Sequence, residues 1–218
     1  MGEIDGTGDI LADRRLQMVK RQIERRGVTD ADVLAAMRTV PRHLFVPESE
    51  VDAAYDDGPL PIGHGQTISQ PYVVASMTEE LGTDHTSRVL EIGTGCGYQT
   101  AVLAEIAHKV YTIEYVAELL TEARRVLTTL HYSNVEFRVG DGTLGWPEEA
   151  PFDGILVTAA AAKLPPALVE QLAVGGKMVI PLEAGRWGGQ ELTLVQKTLT
   201  GISKRSLYPV RFVPLVNS

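Results

Sequence analysis

The chain has 218 residues, 44% hydrophobic and 22% charged, which fits one large domain with a substantial core better than two full ones. Its 20 basic and 28 acidic residues leave a net charge of −8, opposing the electrostatic footprint of a nucleic-acid binder. It lacks any apolar run of about 18 residues, a basic secretory start, and the Ser or Thr that myristoylation wants where Gly6 stands, so the expectation is a cytoplasmic protein without membrane partners.

In chain order, residues 1–10 are Gly-rich and acidic and read as loose. Leu16, Val19 and Ile23 recur at helical spacing, predicting a helix over 11–26 that Gly27 stops. A second helix is predicted from Thr29 as N-cap, through Val33, Leu34 and Met37, ending before Pro41. From Pro41 to Pro71 there is little periodicity, and so long a loop is usually functional or disordered. Helical spacing resumes over 72–81.

From Arg88 onward apolar strands and helices alternate: strand 88–92, helix 97–106, strand 109–114, helix 116–130, strands 135–139 and 153–158, helix 165–173, strand 177–181. That order predicts an α/β fold with a doubly wound, mostly parallel sheet. Gly175-Gly176 reads as a helix C-cap followed by a tight turn. Segments 191–197 and 202–208 flank Thr200-Gly201 and predict a C-terminal antiparallel hairpin at the sheet edge. The expected layout is one domain over 1–218, with N-terminal helices and a loop over 11–81 and a sheet core over 88–218.

The run from Val89 to Gly97, Val-Leu-Glu-Ile-Gly-Thr-Gly-Cys-Gly, is the feature most informative about function. An apolar strand ends in three alternating glycines and passes straight into helical periodicity, as where a backbone must approach a ligand closely. A dinucleotide fingerprint is G-x-G-x-x-G, whereas Gly93, Gly95 and Gly97 give G-x-G-x-G, with Tyr98 in the third-glycine position. Glu91 puts negative charge beside the turn, unfavourable for phosphate and suited to an amino group. S-adenosylmethionine carries an ammonium, a sulfonium and no phosphate. The competing reading is a tight connection beside a capped helix.

Two acids downstream add weight. Glu114 ends the 109–114 strand about 20 residues past the turn, where such an acid reaches ribose hydroxyls, and it also suits the start of the next helix. Asp141, in Gly140-Asp141-Gly142 at the carboxyl end of the 135–139 strand, could accept from an adenine amino group or serve as a plain turn aspartate. The candidate donor site is therefore Glu91, Gly93, Thr94, Gly95, Gly97, Glu114, Tyr115, Asp141 and Gly142. Cys96 cannot form an intrachain disulfide and has no predicted base beside it, and the five histidines show no metal-ligand spacing, so neither catalytic cysteine nor metal is expected.

The long loop holds Leu60-Pro-Ile-Gly-His-Gly-Gln-Thr-Ile-Ser-Gln-Pro71, readable from its residues either as a lid or as a proline-stiffened surface loop. Its His64 reads as a structural hydrogen-bonder and Asp57 as a turn residue or lid anchor. Across nearly its whole length the chain resembles the protein-L-isoaspartate O-methyltransferases. The match is carried by Val40-Pro-Arg-His-Leu-Phe-Val-Pro47, Ala54-Tyr55 with Asp57, Gly65-Gln-Thr-Ile-Ser-Gln-Pro71, the Glu91 to Gly97 turn, Val139-Gly-Asp-Gly142, Phe152-Asp153, Thr158-Ala-Ala160, Gly175-Gly176 and Val210-Arg-Phe-Val-Pro-Leu215.

The resemblance implies S-adenosyl-L-methionine as donor, S-adenosyl-L-homocysteine as product, and the free α-carboxyl of L-isoaspartyl residues in damaged proteins as acceptor. It places Ser69 at the active site, with Gln66, Thr67 and Ile68 closing over the donor, in an enzyme of protein repair; the expected state is a monomer. Val216 departs from relatives that carry Thr there. The chemistry agrees independently: a carboxylate of pKa about 4 is already ionised, so no general base is needed. Its attack on a sulfonium consumes both charges, favouring a dry, aligned site. The ester then cyclises unaided to a succinimide, whose hydrolysis returns some aspartate. The alternatives are a methyltransferase for another acceptor, a nicotinamide oxidoreductase, and a module that binds an adenosyl ligand without turning it over.

Overall fold

A computed structural model describes residues 6–184 and 188–216. Its centre is a seven-stranded sheet in the order β5-β4-β3-β6-β7-β8-β9. These strands are β3 (Arg88–Ile92), β4 (Lys109–Glu114), β5 (Val135–Val139), β6 (Phe152–Val157), β7 (Leu172–Glu183), β8 (Gln190–Thr198) and β9 (Gly201–Val210). The first five run parallel, and β7 to β9 add an antiparallel edge. A separate hairpin pairs β1 (Leu60–Gly63) with β2 (Gln66–Ile68).

The helices are α1 (Gly6–Met18), α2 (Ala31–Thr39), α3 (Pro71–Leu81), α4 (Tyr98–Ile106), α5 (Ala117–Thr129) and α6 (Pro166–Gln171). In β3, Val89, Leu90, Glu91 and Ile92 are all buried, as befits the central strand of a sheet covered on both faces. One face is closed by α1 to α4, where Ile23, Met37, Val74, Tyr98 and Val102 share a core. The other is closed around Tyr111, Phe152, Ile155, Leu168 and Met178. Among the described residues no helix is long and apolar enough to cross a membrane.

The parallel elements as far as α6 match their predicted positions to within a residue or two, whereas β7 begins at Leu172, five residues before the predicted 177; four other segments differ. Residues 1–5 lie outside the described residues, while Gly6–Ile10 of the stretch expected to be loose are helical. The first helix changes pitch after Met18, through a π turn and a 3₁₀ turn, before Gly27 at φ 98° stops it. Asp30, not Thr29, caps α2, because its carboxylate accepts from both Asp32 N and Val33 N. Gly175-Gly176 is not a helix cap: α6 ends at Gln171 and β7 already runs through the glycines. A Cβ on Gly176 would stand 2.9 Å from Asp153 O, so this pair lets β7 pass close to β6 where their register shifts.

The loop from 41 to 71 holds two 3₁₀ turns, Arg42–Phe45 and Glu48–Ala53, and the β1–β2 hairpin. Strands of four and three residues are too short to announce themselves by alternation. His64 turns this hairpin with φ 52° and is exposed. Asp57 anchors the base of the loop: it pairs with Arg26 at 3.0 Å and accepts from Gln70 Nε2 at 2.7 Å, next to Ser69.

Candidate active site

Strand β3 is where the sheet order reverses, with β4 on one side and β6 on the other. In such sheets the crevice lies beyond the carboxyl ends of the strands at that switch point. A cleft of about 830 Å³, partly open to solvent, lies there, walled by the turn after β3, the end of β4, Gly142 after β5, Thr158 after β6, residues 66–69 and residues 213–216.

The glycine turn is held from three directions. Gly93 N donates to Ile113 O at 2.8 Å, and Thr158 Oγ1 donates to Gly93 O at 2.7 Å. Glu114 accepts from Gly95 N at 2.8 Å through one oxygen and from Val116 N at 3.0 Å through the other, so it fixes the turn and steadies the start of α5 at once. Gly93, at φ 95°, has no room for a side chain, since a Cβ would lie 2.2 Å from Thr158 Oγ1.

Of the residues predicted to form the site, Gln66, Thr67, Ile68, Ser69, Gly93, Thr94, Gly95, Glu114, Tyr115 and Gly142 line this cleft. Three do not line it, and each has its own packing. Glu91 is fully buried, with Oε2 accepting from Thr100 at 2.5 Å and Thr112 at 2.6 Å. Burial pushes its carboxyl up to about 8, against the pull of those hydroxyls, so at neutral pH it is mostly an uncharged acid beneath the turn. It reaches the cleft indirectly, through Thr112, whose hydroxyl lies 2.6 Å from that of Thr94. Gly97 caps α4, and a Cβ there would press on Leu127 and Ala123 of α5 at 3.1 and 3.2 Å. Asp141 accepts from the Thr143 amide and hydroxyl at 2.9 and 2.6 Å, capping a 3₁₀ turn, and its neighbour Gly142 lines the cleft instead.

Other wall residues carried no role in the sequence analysis: Tyr98, Gln99, Thr158 and the segment from Val213 to Val216. The last arrives only by folding, when Ala160 N donates to Val213 O and Leu215 N to Ala160 O. Cys96 also lines the cleft, and burial pushes its thiol up to about 11, leaving it protonated and unreactive. Arg42 was also missed as an actor, although it stands inside a quoted motif. It is fully buried, donates from Nε to Ala54 O and from Nη2 to Ser69 O, both at 2.8 Å, and lies over the Tyr98 ring.

Among the described residues the cleft wall contains no Lys, Arg or His. That composition does not suit a pyrophosphate, whereas a positive-φ glycine backbone and an acid at the end of β4 suit an adenosyl ligand without phosphate. At Gly95 a side chain would come within 3.5 Å of Ile62 in the hairpin, across the mouth of the turn. Tyr98 packs edge-on against Phe45 at 5.6 Å, occupying the position where a dinucleotide fold needs its third glycine. A second cleft, bounded by Arg26, Tyr72 and the segment from Tyr208 to Val213, meets the first at Thr67, Ser69, Thr158 and Val213.

Residues 13–218 match the profile of the family Protein-L-isoaspartate(D-aspartate) O-methyltransferase (PCMT). The chain belongs to this family. It is 53% identical over 213 residues to a Protein-L-isoaspartate O-methyltransferase of Synechococcus sp. (strain JA-2-3B'a(2-13)), covering 95% of this chain and 87% of that one. A relative of the same name in Opitutus terrae is 56% identical over 200 residues, covering 92% and 85%. Among solved structures, one titled protein-L-isoaspartate O-methyltransferase superposes with a TM-score of 0.85 at 29% identity, over 94% of this chain and 66% of that one. A putative member from Plasmodium falciparum, solved in complex with S-adenosyl-L-homocysteine, gives 0.81 at 29% identity, over 93% and 98%. The fold is therefore that of the protein-L-isoaspartate O-methyltransferases, with the doubly wound sheet and C-terminal hairpin in place.

Proposed function

We propose that this protein moves a methyl group from S-adenosyl-L-methionine to the free α-carboxyl of L-isoaspartyl residues in damaged proteins and peptides. The observation that carries the reading is the meeting of two clefts at Ser69, one suited to a phosphate-free adenosyl ligand and the other able to admit an acceptor. Gly93, Thr94, Gly95, Glu114, Tyr115 and Gly142 would hold the donor, with Gln66, Thr67 and Ile68 covering it. Bound S-adenosyl-L-methionine supplies an electrophilic methyl group and leaves S-adenosyl-L-homocysteine.

The protein's own task is placement. Ser69 donates a hydrogen bond that orients the incoming carboxylate and does not itself become acylated or methylated. The acceptor is ionised at neutral pH, so no base is required. Apolar cover from Ile68 and Leu215 limits water, raising the value of alignment for a reaction in which two charges vanish. The 218 residues act as one methyltransferase domain, and we take the protein to be a cytoplasmic monomer. The net charge of −8 supports a role without nucleic acid. The test is labelled methyl transfer to an isoaspartyl peptide beside its normal aspartyl twin. Label should enter the first alone; equal labelling would overturn the assignment.

A further inference from the structure

We infer that the buried guanidinium of Arg42 is the counter-charge for the α-carboxylate of the methyl donor, acting through the wall of the cleft. Arg42 is enclosed completely, yet none of its bonds goes to a carboxylate: two end on the carbonyls of Ala54 and Ser69, and Nη1 has no hydrogen-bond partner. A buried charge without an anion is costly, and a fold that retains one has a use for its field.

Two of its surroundings identify that use. Ser69, which accepts from Arg42, lines the donor cleft, and so does Tyr98, whose ring centroid is 4.8 Å from the guanidinium carbon. Arg42 thus stands one side chain behind the wall. Burial lowers its affinity for a proton, but a guanidinium remains charged at any pH the fold tolerates.

The ligand has a matching asymmetry. The donor carries one carboxylate, at its methionyl end, and among the described residues the cleft wall offers that carboxylate no cationic side chain. Glu114 marks the other end, suited to hydroxyls, so the charges across the cleft run from acid to base and set the ligand's direction. With its carboxylate toward Arg42, the methionyl end lies beside Ser69, where the second cleft opens. The attraction has reach: with an effective dielectric constant of about 20, two unit charges roughly 12 Å apart still change affinity about tenfold.

Calorimetry on the full chain tests this with two ligands, S-adenosyl-L-homocysteine and its decarboxylated form, which keeps the amine, sulfur and adenosine. The wild-type protein should bind the decarboxylated ligand at least about tenfold more weakly. Arg42→Met should lower affinity for S-adenosyl-L-homocysteine by a similar factor and leave the decarboxylated ligand nearly unchanged, and Arg42→Lys should keep much of the discrimination. If Arg42→Met does not fold, as judged by circular dichroism, Arg42→Gln replaces it in the same comparison. Equal wild-type affinity for both ligands overturns the inference, and that measurement needs no variant. So does an equal loss of both ligands in the variant, which would make Arg42 only a brace for the Ser69 loop. A variant that binds S-adenosyl-L-homocysteine normally, but loses preference for an isoaspartyl peptide over its α-amide, would give the charge to the acceptor and overturn it as well.

Discussion

Glu91 and Ser69 show how far neighbours decide what a side chain does. Glu91 ionises near pH 4.5 in an unfolded chain and near pH 8 in its enclosed place under the glycine turn. Between those values the folded state holds a proton that the unfolded state has released, so this group makes stability fall as pH rises through the window and level off above about pH 8. Glu91→Gln imitates the protonated form. The variant should match wild type near pH 5 and exceed it near pH 8 by about 1 kcal/mol or more in urea unfolding. A gap that does not widen with pH would mean the carboxyl is ionised in the fold. At Ser69 the expected effect is kinetic. Ser69→Ala should bind S-adenosyl-L-homocysteine as wild type does while kcat/KM for an isoaspartyl peptide falls about ten- to a hundredfold, the worth of one hydrogen bond to a charged group. Unchanged kcat/KM would remove Ser69 from the proposed mechanism.

At the scale of elements, strand β3, the glycine turn and α4 form one unit, in which the turn belongs as much to the strands beside it as to the ligand cleft. Its carbonyl groups are held by Thr158 and its amides by Ile113 O and Glu114. Gly93→Ala would force a left-handed residue and a Cβ 2.2 Å from Thr158 Oγ1. The expected outcome is a stability loss of about 2 kcal/mol or more in urea unfolding, with at least tenfold weaker binding of S-adenosyl-L-homocysteine by calorimetry. A stable variant with normal affinity would show that the turn shifts freely. Gly97 looks alike in the sequence yet serves a different contact, the approach of α4 to α5. The spacing of the glycines was legible; which of them faces the cleft was not, because that depends on what each missing Cβ would touch.

For the whole molecule, a ligand that binds at the switch point ties β3, β4, β5 and β6 to the 66–69 segment and to residues 213–216. Such a ligand should stabilise the native state as one unit. At a hundredfold excess over its dissociation constant, S-adenosyl-L-homocysteine should contribute about 2.7 kcal/mol. For a chain of this size that raises Tm by about 5–10 °C in a thermal melt. NADH at the same concentration should leave Tm where it was, because the cleft wall has no basic side chain for its phosphates; equal shifts from both ligands would speak for a dinucleotide site.

From Arg88 to Val210 the elements were largely legible because the central strands are mostly apolar and α5 keeps an amphipathic spacing, both local properties of the chain. The glycine turn and Glu114 were found for the same reason, each being a short pattern with its chemistry written in adjacent residues, whereas Ser69 was singled out by the family resemblance. Three other features depended on contacts distant in sequence. The wall built by residues 213–216 exists because Ala160 pairs with that segment, Arg42 bonds to Ser69 at 27 residues' separation, and Glu91 is pushed toward its neutral form by burial, against the pull of the Thr100 and Thr112 hydroxyls. Sequence periodicity determines which side chains are buried. The direction a buried group faces, and whether it keeps its charge, is set only when strands and helices from separate parts of the chain have packed around it.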